Sequence, residues 1–260
     1  MRILFAVPSY TGLLDSSGKP RCPQFMKSLA DTLELAQKRG HEALYVQVTG
    51  NCYIQVARND LAERVYTENA DLMMMLDDDV EWRPEDCLKL CEMKDDVVAG
   101  IYRLKTVDKA TMTPRPDIEE YPVTIPVGAD DRPIVRSDGC ILGGFVPTGF
   151  LKVSRTALDK LREGYPERKY KNFKDGELEN EIYDLFPQGI RDGRWWGEDY
   201  AFCHLWKKLG GLIWIVPNIT FTHWRGTLPY TGNYHEFLLR QPGGSKHVSE
   251  DNVCSERMVG

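Results

Sequence analysis

Three consecutive carboxylates, Asp77, Asp78 and Asp79, follow directly on an apolar run of strand length. Adjacent carboxylates repel one another, so this cluster predicts a positive partner, and hard oxygen ligands of this kind suit Mg²⁺ or Mn²⁺. In an open α/β sheet, ligands also bind at the carboxyl ends of the strands. Asp-rich turns can instead open loops or cap helices, here one that Pro84 would start, so the cluster alone leaves both interpretations open.

A second acidic pair, Glu198 and Asp199, lies at the start of a predicted helix. The helix dipole favours acids there whatever their function, but it does not account for Trp195 and Trp196 just before them. Adjacent indoles can form a platform for a sugar or a base, or can pack in the core. Further along, His223 follows the strand-like ITFT. Its imidazole would favour Mn²⁺ over Mg²⁺, although a lone histidine is more often an ordinary hydrogen-bonded residue.

Alternating strands and helices must position these groups. Apolar β-type runs and helical periodicity alternate over the first hundred residues and resume after residue 149, which predicts an α/β fold with a mostly parallel, mixed central sheet flanked by helices. The predicted strands are residues 3–7, 43–48, 71–76, 96–99, 150–153 and 212–216, and the predicted helices are residues 22–39, 55–69, 84–93, 154–161 and 197–209.

The phosphate-binding glycine loops of other nucleotide-binding α/β proteins are missing. No GxGxxG follows the first strand, and no GxxxxGK[ST] occurs anywhere in the chain. A dinucleotide fold or a P-loop enzyme would therefore lack its defining glycines. If the protein binds phosphates, a metal ion at the Asp cluster is expected to neutralise them.

Composition bounds the possible partners. The 260 residues have a formal net charge of −6, which gives no global attraction to nucleic acid or to an anionic membrane. No apolar run approaches the roughly 18 residues that span a bilayer, so we expect a soluble, cytoplasmic protein, in the host cytoplasm if it is viral. Seven cysteines without CxxC pairs indicate neither a disulfide framework nor a zinc module.

An ordered series of motifs connects these features: PSY at residues 8–10, VARN at 56–59, the Asp cluster, PTGF at 147–150, WWGED at 195–199, and THW, which contains His223. Their order and spacing over residues 1–225 resemble the GT-A fold glycosyltransferases, of the compact kind seen in phages, large viruses and bacteria. The resemblance implies a single GT-A-like domain that moves a hexosyl or pentosyl group from a nucleotide-diphosphate sugar, with a UDP-sugar favoured, to an acceptor hydroxyl, with inversion.

The resemblance also assigns roles to individual residues. Donor binding falls to Pro8, Ser9, Tyr10, Arg58, Asn59, Asp77, Asp78 and Gly144. Mn²⁺ or Mg²⁺ would be held by Asp77, Asp79 and His223. The acceptor would meet Thr148, Gly149, Trp195 and Trp196. Asp199 would be the base that deprotonates the acceptor, and Glu198 would orient it.

The same resemblance divides the chain into a nucleotide-sugar-binding half at residues 1–106, an acceptor and catalytic half at 107–225, and a flexible tail at 226–260. The acceptor stays open: a glycan, a protein, or hydroxymethylated pyrimidines of phage DNA, for which basic residues between Arg155 and Lys174 could form a strip. No membrane partner is expected. A nucleotidyltransferase and an inactive carbohydrate-binding module remain alternative classes.

Overall fold

The computed structural model describes residues 1–128, 132–174, 177–191 and 193–241, with the backbone alone for 172–174 and 177–180. In chain order the elements are β1 (Arg2–Pro8), α1 (Pro23–Lys38), β2 (Glu42–Val48), α2 (Ile54–Thr67), β3 (Leu72–Leu76), β4 (Val80–Glu81), α3 (Pro84–Glu92), β5 (Val97–Gly100), β6 (Ile141–Leu142), β7 (Phe150–Ser154), α4 (Arg155–Gly164), β8 (Lys169–Lys174), β9 (Glu177–Tyr183), β10 (Gly189–Arg191), β11 (Arg194–Trp196), α5 (Glu198–Lys208), β12 (Ile213–Val216), β13 (Thr220–Arg225), β14 (Leu228–Asn233) and α6 (Tyr234–Arg240).

Seven strands form the central sheet in the order β2-β1-β3-β7-β5-β12-β6. Strand β7 is antiparallel to both of its neighbours, β3 and β5, and β6 is antiparallel to β12, whereas the other pairs are parallel. Five strands therefore run in one direction and end at the same edge. The predicted fold class, an α/β fold with a mostly parallel, mixed central sheet flanked by helices, is confirmed.

Two apolar clusters, one on each face of the sheet, hold the layers together. Alternate residues of a strand point to opposite faces. In β1, Ile3 and Phe5 pack with α1 and α3, whereas Leu4 and Ala6 pack with α2, α4 and α5. Every residue of β3 is buried, as expected for a strand covered on both faces. The sheet is therefore a rigid base for the residues that follow its strand ends.

The boundaries of the predicted strands and helices lie within a few residues of the observed ones, because local sequence signals fix several helix starts. Pro23 and Pro84 stand at the first positions of α1 and α3, where a missing backbone N–H costs nothing. Ser154 caps α4, because its side chain accepts a hydrogen bond from the Ala157 backbone N–H. These caps agree with the predicted starts at 84 and 154.

Two regions differ from the sequence-based expectation. The first part of the predicted flexible tail, 226–260, forms β14 and α6, because β14 pairs with β13 from Arg225↔Leu228 to Thr220↔Asn233. Residues 242–260 of that tail lie outside the described residues. The charged segment 164–193, which contains none of the strands and helices predicted above, includes the antiparallel pairs β8–β9 and β10–β11 among its described residues. Backbone pairing, rather than apolar periodicity, organises both regions.

The six cysteines that the structure describes are free thiols. Within the described ranges, no helix combines the length and the apolar character needed to cross a membrane.

Candidate active site

Asp77 leaves the sheet at the end of β3, directly opposite Gly149. Strand β3 pairs with β7 in the register Leu76↔Phe150, and the Asp77 backbone N–H donates to the Gly149 carbonyl at 2.9 Å. A Cβ atom on Gly149 would lie well under 3.0 Å from both Asp77 Oδ2 and the Tyr102 hydroxyl. Glycine at this position therefore lets the Asp77 carboxylate pack against the β7 backbone.

Arg58 links two acidic motifs that lie far apart in the sequence. From the second turn of α2 its Nη2 donates to Asp77 Oδ1 at 3.0 Å, and its Nε donates to Glu198 Oε1 at 3.4 Å. Its side chain is 4% exposed. Burial disfavours the charged guanidinium, but Asp77 and Glu198 outweigh burial and raise the pKa of Arg58 above its ordinary value. Arg58 therefore orders the Asp cluster.

The extended segment after β5 supplies contacts that no sequence motif indicated. The Tyr102 hydroxyl donates to Asp77 Oδ2 at 2.8 Å, and Lys105 Nζ donates to Asp79 Oδ2. Burial and then the charge of Asp77 raise the pKa of Tyr102 well above its ordinary value, so the phenol stays a donor. Between them, the Arg103 guanidinium is bound by three backbone carbonyls, which fixes the course of the segment.

His223 reaches Asp79 because β13 pairs with β4 in the register His223↔Val80. Its Nδ1 lies 2.9 Å from the Arg103 carbonyl oxygen and its Nε2 lies 3.2 Å from Asp79 Oδ1. A carbonyl can only accept, so Nδ1 carries the hydrogen and a neutral ring turns its Nε2 lone pair toward the carboxylate. Two acceptors so close require a proton or a metal cation between them.

This pair has the chemistry of two metal ligands. A ligating histidine commonly donates its other ring N–H to a backbone carbonyl, as His223 does. Burial alone would raise the pKa of Asp79, but Lys105 and, when its ring carries a second proton, His223 outweigh burial and hold the pKa below its ordinary value. Asp79 is therefore ionised. A carboxylate and an imidazole are ligand types that a divalent cation accepts, so these two residues could hold one.

Asp77, the third predicted ligand, is directed elsewhere. Both of its carboxylate oxygens accept hydrogen bonds, one from Arg58 and the other from Tyr102. Among the described residues no three His, Cys, Asp or Glu side chains converge as a metal site. The structure thus brings Asp79 and His223 together and leaves Asp77 beside the pair.

Asp78 faces the other side of the cluster, where it meets the loop after β1. Ser9, which is buried, donates its hydroxyl to Asp78 Oδ2. Burial raises the pKa of Asp78, the Ser9 hydrogen bond opposes this, and the charges of Asp79 and Asp77 add to the increase. Pro8 ends β1, and Tyr10 next to Ser9 is 62% exposed. The segment Pro8–Tyr10, which was predicted to bind the donor, therefore adjoins the Asp cluster.

The acidic pair at the start of α5 separates into two environments. Glu198 accepts from Arg58 and, at 3.3 Å, from the Gln188 side-chain amide. Asp199 accepts from the Tyr200 backbone N–H at 2.7 Å. Burial, and next the charge of Glu198, raise the pKa of Asp199 above its ordinary value. Glu198 is held in place by Arg58 and Gln188, whereas burial makes the Asp199 carboxylate more basic than an ordinary aspartate.

Asn59, predicted to bind the donor, instead forms hydrogen bonds that hold the turn at residues 184–186. It is buried, its side-chain oxygen accepts from the backbone N–H groups of Leu185 and Phe186, and its amide donates to Asp184 at 3.0 Å. Gly144, another predicted donor residue, packs against Thr124, where a Cβ atom would clash. The structure does not bring either residue to the Asp cluster.

The predicted acceptor residues occupy different surroundings. Trp195 is 70% exposed and lies opposite Ile190, itself 77% exposed, in the β10–β11 pair. Trp196 packs edge-on against His204 and Phe145.

Thr148 immediately precedes Gly149 in the chain. It is buried, and its hydroxyl has no hydrogen-bond partner within the described part of the chain.

The basic strip considered for DNA is largely neutralised. Lys160 pairs with Asp96 at 3.2 Å and Arg168 with Asp184 at 3.4 Å. The further pairs are Arg162 with Glu63 and Lys169 with Glu181. Nucleic-acid binding depends on basic side chains that are free to neutralise phosphates, which releases the counterions condensed on the nucleic acid. Nothing in these contacts favours a nucleic-acid acceptor.

Scans of protein-family models and of curated proteins found no match. Among solved structures, A197 from STIV is similar over 86% of this chain and 86% of that chain, with 17% identity and a TM-score of 0.47. GalNAc-T7, crystallised with UDP, GalNAc and Mn²⁺, is similar over 87% of this chain and 44% of that chain, with 11% identity and a TM-score of 0.47. S. aureus TarS 1-349 matches over 92% and 62%, with 14% identity and a TM-score of 0.39.

The matched region thus spans less than half of the GalNAc-T7 chain and less than two thirds of the TarS chain. Similarity at these levels says nothing about the substrate of this chain.

Proposed function

We propose that the protein is a metal-dependent glycosyltransferase that moves a hexosyl or pentosyl group from a nucleoside-diphosphate sugar to an acceptor hydroxyl, with inversion. The observation that carries this proposal is the position of Arg58, which is hydrogen-bonded to Asp77 and to Glu198. One buried guanidinium thereby joins two acidic groups. The first is the Asp cluster, which suits a cation and, through the cation, a diphosphate. The second is the acidic start of α5, which contains the Asp199 carboxylate.

Asp79 and His223 would hold Mn²⁺ or Mg²⁺. When bound, the ion supplies positive charge that stabilises the departing nucleoside diphosphate. Asp77, fixed by Arg58 and Tyr102, contributes negative charge beside that ion. Ser9 donates a hydrogen bond to Asp78 within the same cluster, and these two residues would meet the ribose, while Pro8 and Tyr10 would meet the base.

Asp199 acts as the general base. It accepts the proton of the acceptor hydroxyl while that oxygen bonds to the anomeric carbon and the bond from this carbon to the phosphate oxygen breaks. A carboxylate with a raised pKa is a better base as long as it remains ionised at the working pH. Glu198 cannot take this role without giving up Arg58, and so it orients the acceptor and fixes the helix start.

Trp195 supplies an exposed indole for the acceptor. Its position opposite Ile190 makes an apolar surface on the β10–β11 pair, which leads directly into Asp199 through the start of α5. Indole faces stack on the C–H faces of sugars. We favour a glycan or a glycosylated carrier over DNA as the acceptor, because Arg162 and Arg168 of the basic strip considered for DNA are paired with Glu63 and Asp184.

The first test is a thermal-shift series with UDP, GDP, ADP, CDP and dTDP, each with and without Mn²⁺. A ligand at about 100 times its Kd adds roughly 2.7 kcal/mol to the free energy of unfolding. For a chain of this size that raises the Tm by about 5–10 °C. A shift with one nucleotide that requires Mn²⁺ supports the proposal. The absence of any shift would contradict it.

Two substitutions sharpen that series. Asp79→Asn should remove the Mn²⁺-dependent part of the shift, because it weakens one of the two proposed ligands. Glu85→Gln, an exposed acid in the first turn of α3, should leave the shift unchanged. If both variants lost the Mn²⁺-dependent shift equally, the cation would be bound by surface acids in general and not by the Asp cluster.

The product separates this activity from the alternative classes. A glycosyltransferase, or the slow hydrolysis that it catalyses without an acceptor, releases the nucleoside diphosphate from its sugar donor. A nucleotidyltransferase releases inorganic pyrophosphate from a nucleoside triphosphate, and an inactive carbohydrate-binding module releases neither. Incubation of the protein and Mn²⁺ with both kinds of substrate, followed by anion-exchange chromatography, distinguishes the three.

A further inference from the structure

Lys105 places a positive charge on the carboxylate that we assign to the metal. Its Nζ donates to Asp79 Oδ2, while His223 Nε2 faces the other oxygen of the same group. Its second contact, with the Trp224 carbonyl, is long at 3.4 Å. The side chain is 28% exposed, so it reaches solvent at the site.

The charges around the site explain why this lysine matters. The acidic side chains there outnumber the two basic ones; they are Asp77, Asp78, Asp79, Glu198 and Asp199, against Arg58 and Lys105. Arg58 is buried and held between two carboxylates. Lys105 is partly exposed and sits on a flexible four-carbon stem, so it is the more easily moved of the two cations.

A divalent cation on Asp79 changes the position that Lys105 prefers. Like charges within a few ångströms repel strongly in a partly desolvated site. The ammonium group would then leave Asp79, and a diphosphate bound to the same cation offers it several acceptor oxygens nearby. An ammonium donates up to three hydrogen bonds, so it can bind phosphate oxygens from a new position.

We propose that Lys105 exchanges partners during donor binding: it occupies Asp79 in the metal-free protein and binds the diphosphate when the divalent cation takes its place. This proposal rests on the proposed function, because it assumes a nucleoside diphosphate as ligand. Lys105 thereby competes with the metal alone and cooperates with the metal once the nucleotide is present. The cation and the donor enter the site together more readily than either enters by itself.

A lysine with a purely structural role would behave differently. If Lys105 only orients Asp79 for the metal, then its removal weakens Mn²⁺ and nucleotide binding alike. If its contact with Asp79 is an ordinary surface ion pair, its removal changes neither. Exchange requires effects of opposite sign on the two ligands, which neither of the other roles produces.

The experiment measures two dissociation constants in the full chain. Mn²⁺ alone is titrated with detection of free Mn²⁺ by electron paramagnetic resonance, and UDP is titrated calorimetrically in excess Mn²⁺, with GDP, ADP, CDP and dTDP as further probes. The variants are Lys105→Met, Lys105→Arg and, as a matched control from the same segment, the exposed Lys109→Met.

For Lys105→Met, the loss of the competing ion pair should tighten Mn²⁺ binding by about threefold. The loss of a charged hydrogen bond should weaken nucleotide binding by about tenfold or more. Lys105→Arg should lie closer to the parent protein in both constants, and Lys109→Met should match it.

The outcomes separate this inference from the proposed function. If the parent protein binds Mn²⁺ and a nucleotide but Lys105→Met changes neither constant, or weakens both, the exchange is wrong and the proposed function stands. If the parent protein binds no nucleoside diphosphate with Mn²⁺, both proposals fail.

Discussion

Replacing Gly149 with alanine tests the central packing of the site. Its new Cβ atom would lie well under 3.0 Å from Asp77 Oδ2 and from the Tyr102 hydroxyl, closer than Cβ atoms come to such groups. Gly149 cannot retreat freely, because its carbonyl accepts the Asp77 backbone N–H and β7 follows at once. The Asp77 carboxylate must therefore move, and its hydrogen bonds to Arg58 and Tyr102 must lengthen.

The magnitude follows from two costs. Overpacking a well-packed position costs about 1–3 kcal/mol. Full rupture of a buried ion pair costs about 3–5 kcal/mol, but Asp77 is 27% exposed, so water offsets part of that cost. A partial displacement then gives a total loss of about 2–4 kcal/mol in the free energy of unfolding. In Tm this corresponds to roughly 5–15 °C.

Urea unfolding of Gly149→Ala measures this loss as a lower midpoint at an unchanged slope. Gly211→Ala is a matched control, because a Cβ atom there would meet the Trp206 ring equally closely, away from the Asp cluster. Both variants should be destabilised, but Gly149→Ala alone should also lose the Mn²⁺-dependent nucleotide shift. A stability of Gly149→Ala within about 0.5 kcal/mol of the parent protein would refute the packing argument.

Three further predictions address single contacts. Arg58→Met leaves Asp77 and Glu198 without their common cation and should lower the free energy of unfolding in urea by about 3–5 kcal/mol. The control Arg39→Met, which breaks an exposed ion pair, should lower it by at most about 1 kcal/mol. Equal losses in the two variants would contradict the buried ion pair. Asp199→Asn should abolish transfer yet raise the Tm at neutral pH. Because its folded-state pKa is raised, the Asp199 carboxylate is destabilising once ionised, so the gain should disappear as the pH falls and the group protonates in both states; a gain that grows in acid would reverse the assigned sign. Asn59→Ala leaves two buried backbone N–H groups unpaired and should lower the free energy of unfolding by about 2–4 kcal/mol, with KM for the donor unchanged. An increase in KM without a loss of stability would mean that Asn59 binds the donor after all.

The parts of the site that the sequence located follow strand and helix ends. The Asp cluster ends a fully apolar strand, and Glu198 and Asp199 begin a helix, so local pattern alone placed them at one edge of the sheet. His223 was found only through its place in a series of motifs. Its approach to Asp79 depends on the pairing of β13 with β4, which no local signal encodes.

The sequence did not indicate Tyr102 and Lys105, because they lie in an extended segment without helical or strand periodicity. That segment takes its course from the Arg103 guanidinium and its three backbone carbonyl partners, which come from residues 13, 15 and 128 positions away. Asn59 shows the converse limit. Its place in the VARN motif suggested a donor-binding residue, but whether it faces solvent or the turn at residues 184–186 depends on tertiary contacts.

The strand that contains His223 is enclosed on both sides, by β4 for two residue pairs and by β14 along its whole length. Removal of β14 would expose a row of backbone donors and acceptors beside the histidine. The part of the chain that must stay together to hold His223 beside Asp79 therefore extends at least through Asn233, beyond the last motif named above. A gene fusion or recombination event that joined another domain just after Arg225 would preserve every motif and still disrupt the strand on which His223 depends.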